Sequence, residues 1–199
     1  MKSAIKSGLL ALAAAALPAV ASAHPAIGEA AGFSLGFAHP MSGLDHVLAM
    51  VMVGVFACQL GDRATWLVPT TFVLVMTLGG ALGVAGIAVP FVEIGIALSV
   101  VVLGAVVALN LKAPLAAALG VIGVFAIFHG HAHGAEMPEN AAGAAYAAGF
   151  MIATVLLHLA GLALGYVIGR AGERQGVFVT RMAGGIATIS GVGLLAGLI

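Results

Sequence analysis

Long apolar runs separated by short polar segments dominate the pattern of this chain. Six such stretches follow one another, near residues 42–60, 66–86, 90–110, 114–130, 141–169 and 177–198. Each is close to the roughly 20 residues that an α-helix needs to cross a bilayer. The pattern therefore predicts an all-α membrane protein in which six transmembrane helices form one compact bundle.

The first segment has a different pattern. Two lysines precede an apolar run from Gly8 to Leu17, and the triplet Ala21-Ser22-Ala23 follows a proline. These features are typical of a cleavable secretory signal peptide. The alternative is an uncleaved first span, but about ten apolar residues are too few to cross a bilayer comfortably. We therefore expect a signal peptide over 1–23 and a six-helix transmembrane transporter domain over 24–199.

Composition narrows the class of protein. Hydrophobic residues make up 62% of the chain and charged residues 7%, against roughly a quarter charged in soluble domains. This excludes a soluble enzyme, and the balance of seven basic and seven acidic residues gives no basic excess for nucleic acid. The single cysteine, Cys58, excludes a disulfide framework. No phosphate-binding G-x-x-x-x-G-K-[ST] sequence is present, so the chain itself does not use ATP for transport.

The basic residues orient the predicted spans. If cleavage leaves His24 outside, every basic residue of the mature chain lies on one side, as the positive-inside rule requires. This orientation places both termini in the periplasm and the protein in a bacterial inner membrane. The basic residues are Arg63, Lys112, Arg170, Arg174 and Arg181.

Histidines are the informative polar residues. The chain has seven of them, and on this topology only His158 lies deep in the bilayer. The others lie near the outer end, together with several carboxylates. Because an ionisable side chain at the centre of a span costs about 2.5–3.5 kcal/mol, such residues normally pair or mark a pathway. Imidazoles combined with carboxylates suit a divalent transition metal.

The first polar cluster is the segment from His39 to His46. Because Pro40 disfavours helix at His39, we expect the helix to begin near Ser42. Ser42 and Asp45 have the spacing of a capping box, which offers a purely structural explanation of the carboxylate. The two imidazoles that flank Asp45 favour a metal site instead. In that case the negative charge of the Asp45 carboxylate would have to outweigh the repulsion between the cation and the positive N-terminus of the helix.

The second cluster extends from His129 to Glu136. On a helix, His129 and His133 share a face and His131 points away. A His-rich loop that binds metal weakly or not at all is the alternative. Glu93 follows Pro90 at the start of the third span. There, its negative charge could equally stabilise the helix by interacting with the positive end of the helix dipole.

The segments HPMSGLDHVLAM (39–50) and FHGHAHGAEMP (128–138) resemble the two signature motifs of the HupE/UreJ family of nickel/cobalt permeases. The resemblance covers essentially the whole chain. It implies secondary uptake of Ni²⁺, or of Co²⁺, for hydrogenase or urease maturation, with the ion as substrate and no other cofactor. The predicted metal site comprises His39, Asp45, His46, Glu93, His129, His133 and Glu136, whereas His24, His131 and His158 have no assigned role.

Two other classes of function use the same residues. An intramembrane zinc-dependent hydrolase would hold Zn²⁺ on the His/Asp cluster and activate a water, and a periplasm-facing sensor would bind metal without flux. We expect a transporter rather than an enzyme, with the divalent ion and the lipid bilayer as partners and no nucleic acid. The sequence leaves a homo-oligomer open.

Overall fold

A computed structural model of the chain describes residues 29–137, 142–170 and 172–198. The predicted signal peptide over 1–23 and His24 lie outside these residues. Within them the chain is helical with short connections and no strand. The helices are α1 (Glu29–Ser42), α2 (Leu44–Leu60), α3 (Ala64–Val84), α4 (Val92–Ala108), α5 (Leu115–Ala135), α6 (Ala142–Arg170) and α7 (Glu173–Leu195).

The six helices α2 to α7 coincide with the six predicted apolar stretches, apart from a few residues at their ends. This confirms the all-helical prediction for the described residues. By length and composition, four helices could each cross a membrane: α3, α5, α6 and most of α7. α1 and α2 together could form a fifth, broken span, and α4 is a shorter apolar helix. The number of six spans stays a prediction.

A helix begins close to the expected position, since α2 starts at Leu44, but the expectation that Pro40 disfavours helix at His39 is wrong. α1 continues through His39 and Pro40 to Ser42, and the chain then bends by 80° before α2 begins at Leu44. Proline removes only one N–H donor near the end of α1. In exchange, α1 packs along α6, where the backbone of Gly36 lies against the Tyr146 carbonyl.

The capping explanation of the same segment is also wrong. The hydroxyl of Ser42 donates to the carbonyl of His39 at 2.7 Å, and Gly43 occupies the N-cap of α2 without a side-chain bond. Asp45 is therefore free of the capping role and lies in the first turn of α2.

Glycines let the helix backbones approach closely. In the packing of α3 on α5, a Cβ at Gly79 would overlap the carbonyl of Ile127, and one at Gly130 would overlap the carbonyl of Met76. Such small residues are typical of helix contacts in membranes. α2 packs on α6 in the same way through Gly54 and Gly161.

In the sequence, Gly79 and Gly83 in α3 and Gly161, Gly165 and Gly169 in α6 recur at helical spacing, which predicts close backbone approach between helices at these positions. Gly79, Gly83, Gly161 and Gly165 each face a neighbouring helix, as their helical spacing indicates. Gly169 faces open space instead, so its interpretation as a packing residue is wrong.

Apolar and charged side chains are distributed as a bilayer requires. Phe72, Met50, Leu103 and Ile122 are fully buried in the core, and many large apolar side chains are exposed around the bundle. The basic residues lie at the end of the bundle where α2 ends and α3 begins. There the Lys112 ammonium donates to the Gln59 carbonyl at 2.6 Å.

The packing of α3 on α5 makes a matched pair of substitutions informative. Gly79→Ala should destabilise the protein by about 1–3 kcal/mol because the neighbouring backbone must move. Gly80→Ala places its Cβ no closer than 3.5 Å to the Gly130 carbonyl, so its stability should stay within about 1 kcal/mol of the parent. Unfolding in mixed micelles measures both, and equal stability of the two variants would contradict the packing described.

Candidate metal centre

The first turn of α2 supplies a carboxylate and an imidazole that support each other. Asp45 Oδ1 accepts the backbone N–H of His46 at 2.8 Å and lies 2.9 Å from His46 Nδ1. Donation from Nδ1 to the carboxylate fixes the ring and leaves Nε2 with the lone pair that binds a metal. The bend at Gly43 aims this pair into the bundle.

His133 on α5 meets that lone pair. Its Nε2 lies 2.5 Å from His46 Nε2, and both rings are buried. With His46 Nδ1 donating to Asp45, His46 Nε2 can only accept, so Nε2 of His133 donates to it. The contact therefore joins the first polar cluster of the sequence to the second.

The rim of the site is formed by α1 and the end of α5. Glu136 Oε2 lies 3.3 Å from His39 Nε2 and 3.9 Å from His133 Nδ1. Ligand atoms of these three residues all lie within 4.8 Å of one another, which a modest adjustment would bring around one ion. The Glu136 side chain keeps 60% of its surface exposed, so the rim is open to solvent.

Six of the seven predicted ligands line one cavity of about 200 Å³: His39, Asp45, His46, Glu93, His133 and Glu136. Glu93, an exposed residue in the first turn of α4, also lines this cavity. The structure thus brings together residues from four helices that lie as far apart as 97 positions in the sequence, from 39 to 136.

His129, the seventh predicted ligand, lies below the cavity. It is fully buried, and its ring centroid lies 4.7 Å from that of His46. Ser99 Oγ donates to the Ile96 carbonyl at 2.6 Å, so it can only accept from His129 Nε2 at 2.9 Å. The remaining nitrogen, Nδ1, carries a lone pair and has no hydrogen-bond partner among the described residues.

His131 lies outside this group, as helical geometry predicts. Its Nε2 donates to the carbonyl of Ile87 at 2.8 Å, which ties the connection between α3 and α4 to α5. His131 therefore makes a structural contact, although no role for it follows from the sequence.

Sequence reasoning missed two residues that position the imidazoles. Ser99 orients His129, and the Phe150 ring lies 4.1 Å from the ring of His133. A lone serine or phenylalanine in an apolar span carries no signal of such a role.

Helix dipoles at the cavity largely offset each other. α2 and α4 begin there with their positive ends, and α1 and α5 end there with their negative ends. The carboxylates of Asp45, Glu93 and Glu136 therefore determine the sign of the local charge. Such a site attracts a cation and offers it imidazole nitrogens as further ligands.

Comparison with known proteins gives a consistent result over the whole described chain. A profile of the family described as HupE / UreJ protein matches residues 11–194. Protein HupE of Rhizobium leguminosarum bv. viciae is 49% identical over 187 residues, which is 94% of this chain and 95% of that protein. No solved structure matches significantly.

The two histidines on either side of Ala132 allow a direct test of the site. His133→Ala should weaken Ni²⁺ binding to the purified protein at least about tenfold, because a buried ligand is lost. His131→Ala should leave the affinity within about twofold, since its ring bonds only the Ile87 carbonyl. Titration calorimetry in detergent measures both affinities, and equal losses would show that the cavity is not where the ion binds.

Proposed function

Because the chain belongs to the HupE/UreJ protein family, we propose that it takes up a divalent transition metal ion by secondary transport. The family is linked to nickel or cobalt uptake for hydrogenase or urease. We propose Ni²⁺ as the first substrate and Co²⁺ as the second. The observation that carries the proposal is the convergence of imidazoles and carboxylates from four helices on one cavity.

The donor set suits such an ion chemically. Imidazole nitrogen binds Ni²⁺ and Co²⁺ well, and carboxylates neutralise the charge. Cys58 lies in the last turn of α2, at the other end of that helix from Asp45 and His46, so the soft thiolate that would favour Cu(I) or a closed zinc site is remote. These imidazoles and carboxylates are therefore suited to capturing an ion of intermediate softness such as Ni²⁺ or Co²⁺.

Exposure decreases step by step along the proposed route. The side chains of Glu136 and His39 are 60% and 39% exposed, that of His46 is 9% exposed, and His129 is fully buried. An ion entering from the rim can therefore exchange its water ligands for protein ligands one or two at a time. This gradual dehydration lowers the main barrier to entering an apolar bundle.

The membrane potential supplies the driving force. A divalent cation that moves to a negative interior gains about 4–5 kcal/mol per 100 mV. That is enough for substantial accumulation without ATP. It also agrees with the short connections between the helices, which leave no space for a nucleotide-binding domain.

The distribution of charge supports an orientation. The basic side chains at the end opposite the cavity would face the cytoplasm under the positive-inside rule, and the cavity would then open to the periplasm. We also propose that residues 1–23 are a signal peptide and that residues 24–199 form the transmembrane domain in a bacterial inner membrane. Both termini of the mature protein would then lie on the periplasmic side.

The zinc-dependent hydrolase is not favoured. Members of the family are transporters or accessory proteins rather than known enzymes.

Two aspartates at opposite ends of the bundle provide the test. Asp45→Asn keeps the size of the side chain but removes the charge that holds the His46 ring, so uptake of Ni²⁺ into sealed liposomes with an inside-negative potential should fall at least about tenfold. Asp62→Asn, in the turn before α3 where asparagine also tolerates the positive φ of 44°, should transport normally.

Flux that survives Asp45→Asn unchanged would remove this carboxylate from the site. If the parent protein binds Ni²⁺ but shows no flux under the same potential, the transport proposal fails and a sensor function takes its place.

A further inference from the structure

His158 is buried in the middle of α6 without a protein partner for either ring nitrogen. The residue is 1% exposed, and neither Nδ1 nor Nε2 has a hydrogen-bond partner among the described residues. Leaving buried polar atoms unsatisfied costs about 1–3 kcal/mol each. A leucine or phenylalanine would fill the same position without that cost, so packing alone does not account for an imidazole here.

Phe72 contacts both His158 and a histidine of the candidate metal centre. Its ring centroid lies 5.6 Å from that of His129 and 5.1 Å from that of His158. The two histidines are thus neighbours of one aromatic ring. The polar residues of the bundle form a series that begins at the rim, passes His46 and His129, and resumes at His158.

Two further donor atoms accompany His158. Thr154 lies one turn earlier on α6 and is fully buried, and its hydroxyl points to the sulfur of Met76 at 4.0 Å. A hydroxyl and a thioether beside an imidazole are weak ligands. They suit an ion that must be held briefly and then released.

A groove of about 320 Å³ extends from His158 between α3 and α6 to Thr65 and Trp66. Its lining is mostly apolar, and Trp66, Leu74 and Leu159 are exposed on the outside of the bundle. Thr65 and Trp66 are in the first turn of α3, at the end of the bundle opposite the candidate metal centre. Because Pro69 has no N–H, it cannot donate to the carbonyl of Thr65 four residues earlier.

We infer that His158 forms a second, inner binding step for the transported divalent metal ion, reached past Phe72 and open towards the far end of the bundle. This inference rests on the proposed transport function and deepens it. The outer centre captures and dehydrates the ion, and the imidazole of His158 offers it a further ligand inside the apolar bundle.

The test compares His158→Leu with Leu156→Ala, a residue of the same helix whose side chain is exposed on the outside of the bundle. Each variant is purified and measured for thermal stability, for equilibrium Ni²⁺ binding in detergent and for Ni²⁺ uptake into liposomes with an inside-negative potential. For His158→Leu, we expect a maximal uptake rate lower by about tenfold or more, with binding at the outer centre within about twofold and stability equal or higher. Leu156→Ala should match the parent protein in uptake and binding.

Each other outcome has a defined meaning. Unchanged uptake by His158→Leu would overturn the inner binding step while leaving the transport function in place. Stability and outer binding that fall together would also overturn it, because they would show that His158 is structural. In the second case His158→Gln provides a check, since a structural polar contact would be partly restored by the amide and metal passage would not. Absence of flux in the parent protein would instead refute the transport function itself.

Discussion

The contact between the imidazoles of His46 and His133 depends on how closely the helices can approach each other. α5 lies near enough to α3 because Gly130 and Gly134 have no side chains to hold the backbones apart. α2 is held against α6 through Gly54 and Gly161 in the same way. In lipid, where the hydrophobic effect does not drive helices together, such close backbone contact is a main source of packing energy. The metal centre is therefore a consequence of glycine placement.

The same packing decides which polar groups are satisfied. Asp45 fixes His46, Ser99 fixes His129, and the Ile87 carbonyl holds His131 away from the cavity. The nitrogens left over point into the cavity or are buried below it, as with His129 Nδ1. Buried lone pairs without partners destabilise a bundle, and a passing cation would relieve that cost. The unpartnered nitrogens therefore destabilise the bundle at the positions where they would bind a metal ion.

The sequence predicted the helices well because each apolar run is long and ends at polar residues or proline. It also grouped side chains that the structure brings together, since His129 and His133 share a helix face and Asp45 adjoins His46. It failed at Pro40, where packing of α1 on α6 outweighs the local preference of the residue before a proline. It could not find Ser99, Phe150 or the contact of Phe72 with both His129 and His158, because these depend on contacts between helices far apart in the chain.

The measurement that tests the account most directly is X-ray absorption spectroscopy at the nickel edge on the purified protein loaded with one equivalent of Ni²⁺. The account predicts a first shell of mixed nitrogen and oxygen ligands with the multiple-scattering pattern of histidine imidazoles, and a weaker pattern in His133→Ala, which removes one imidazole. A shell of water oxygens alone, or a spectrum that His133→Ala leaves unchanged, would contradict the claim that the His46–His133 cavity binds the ion.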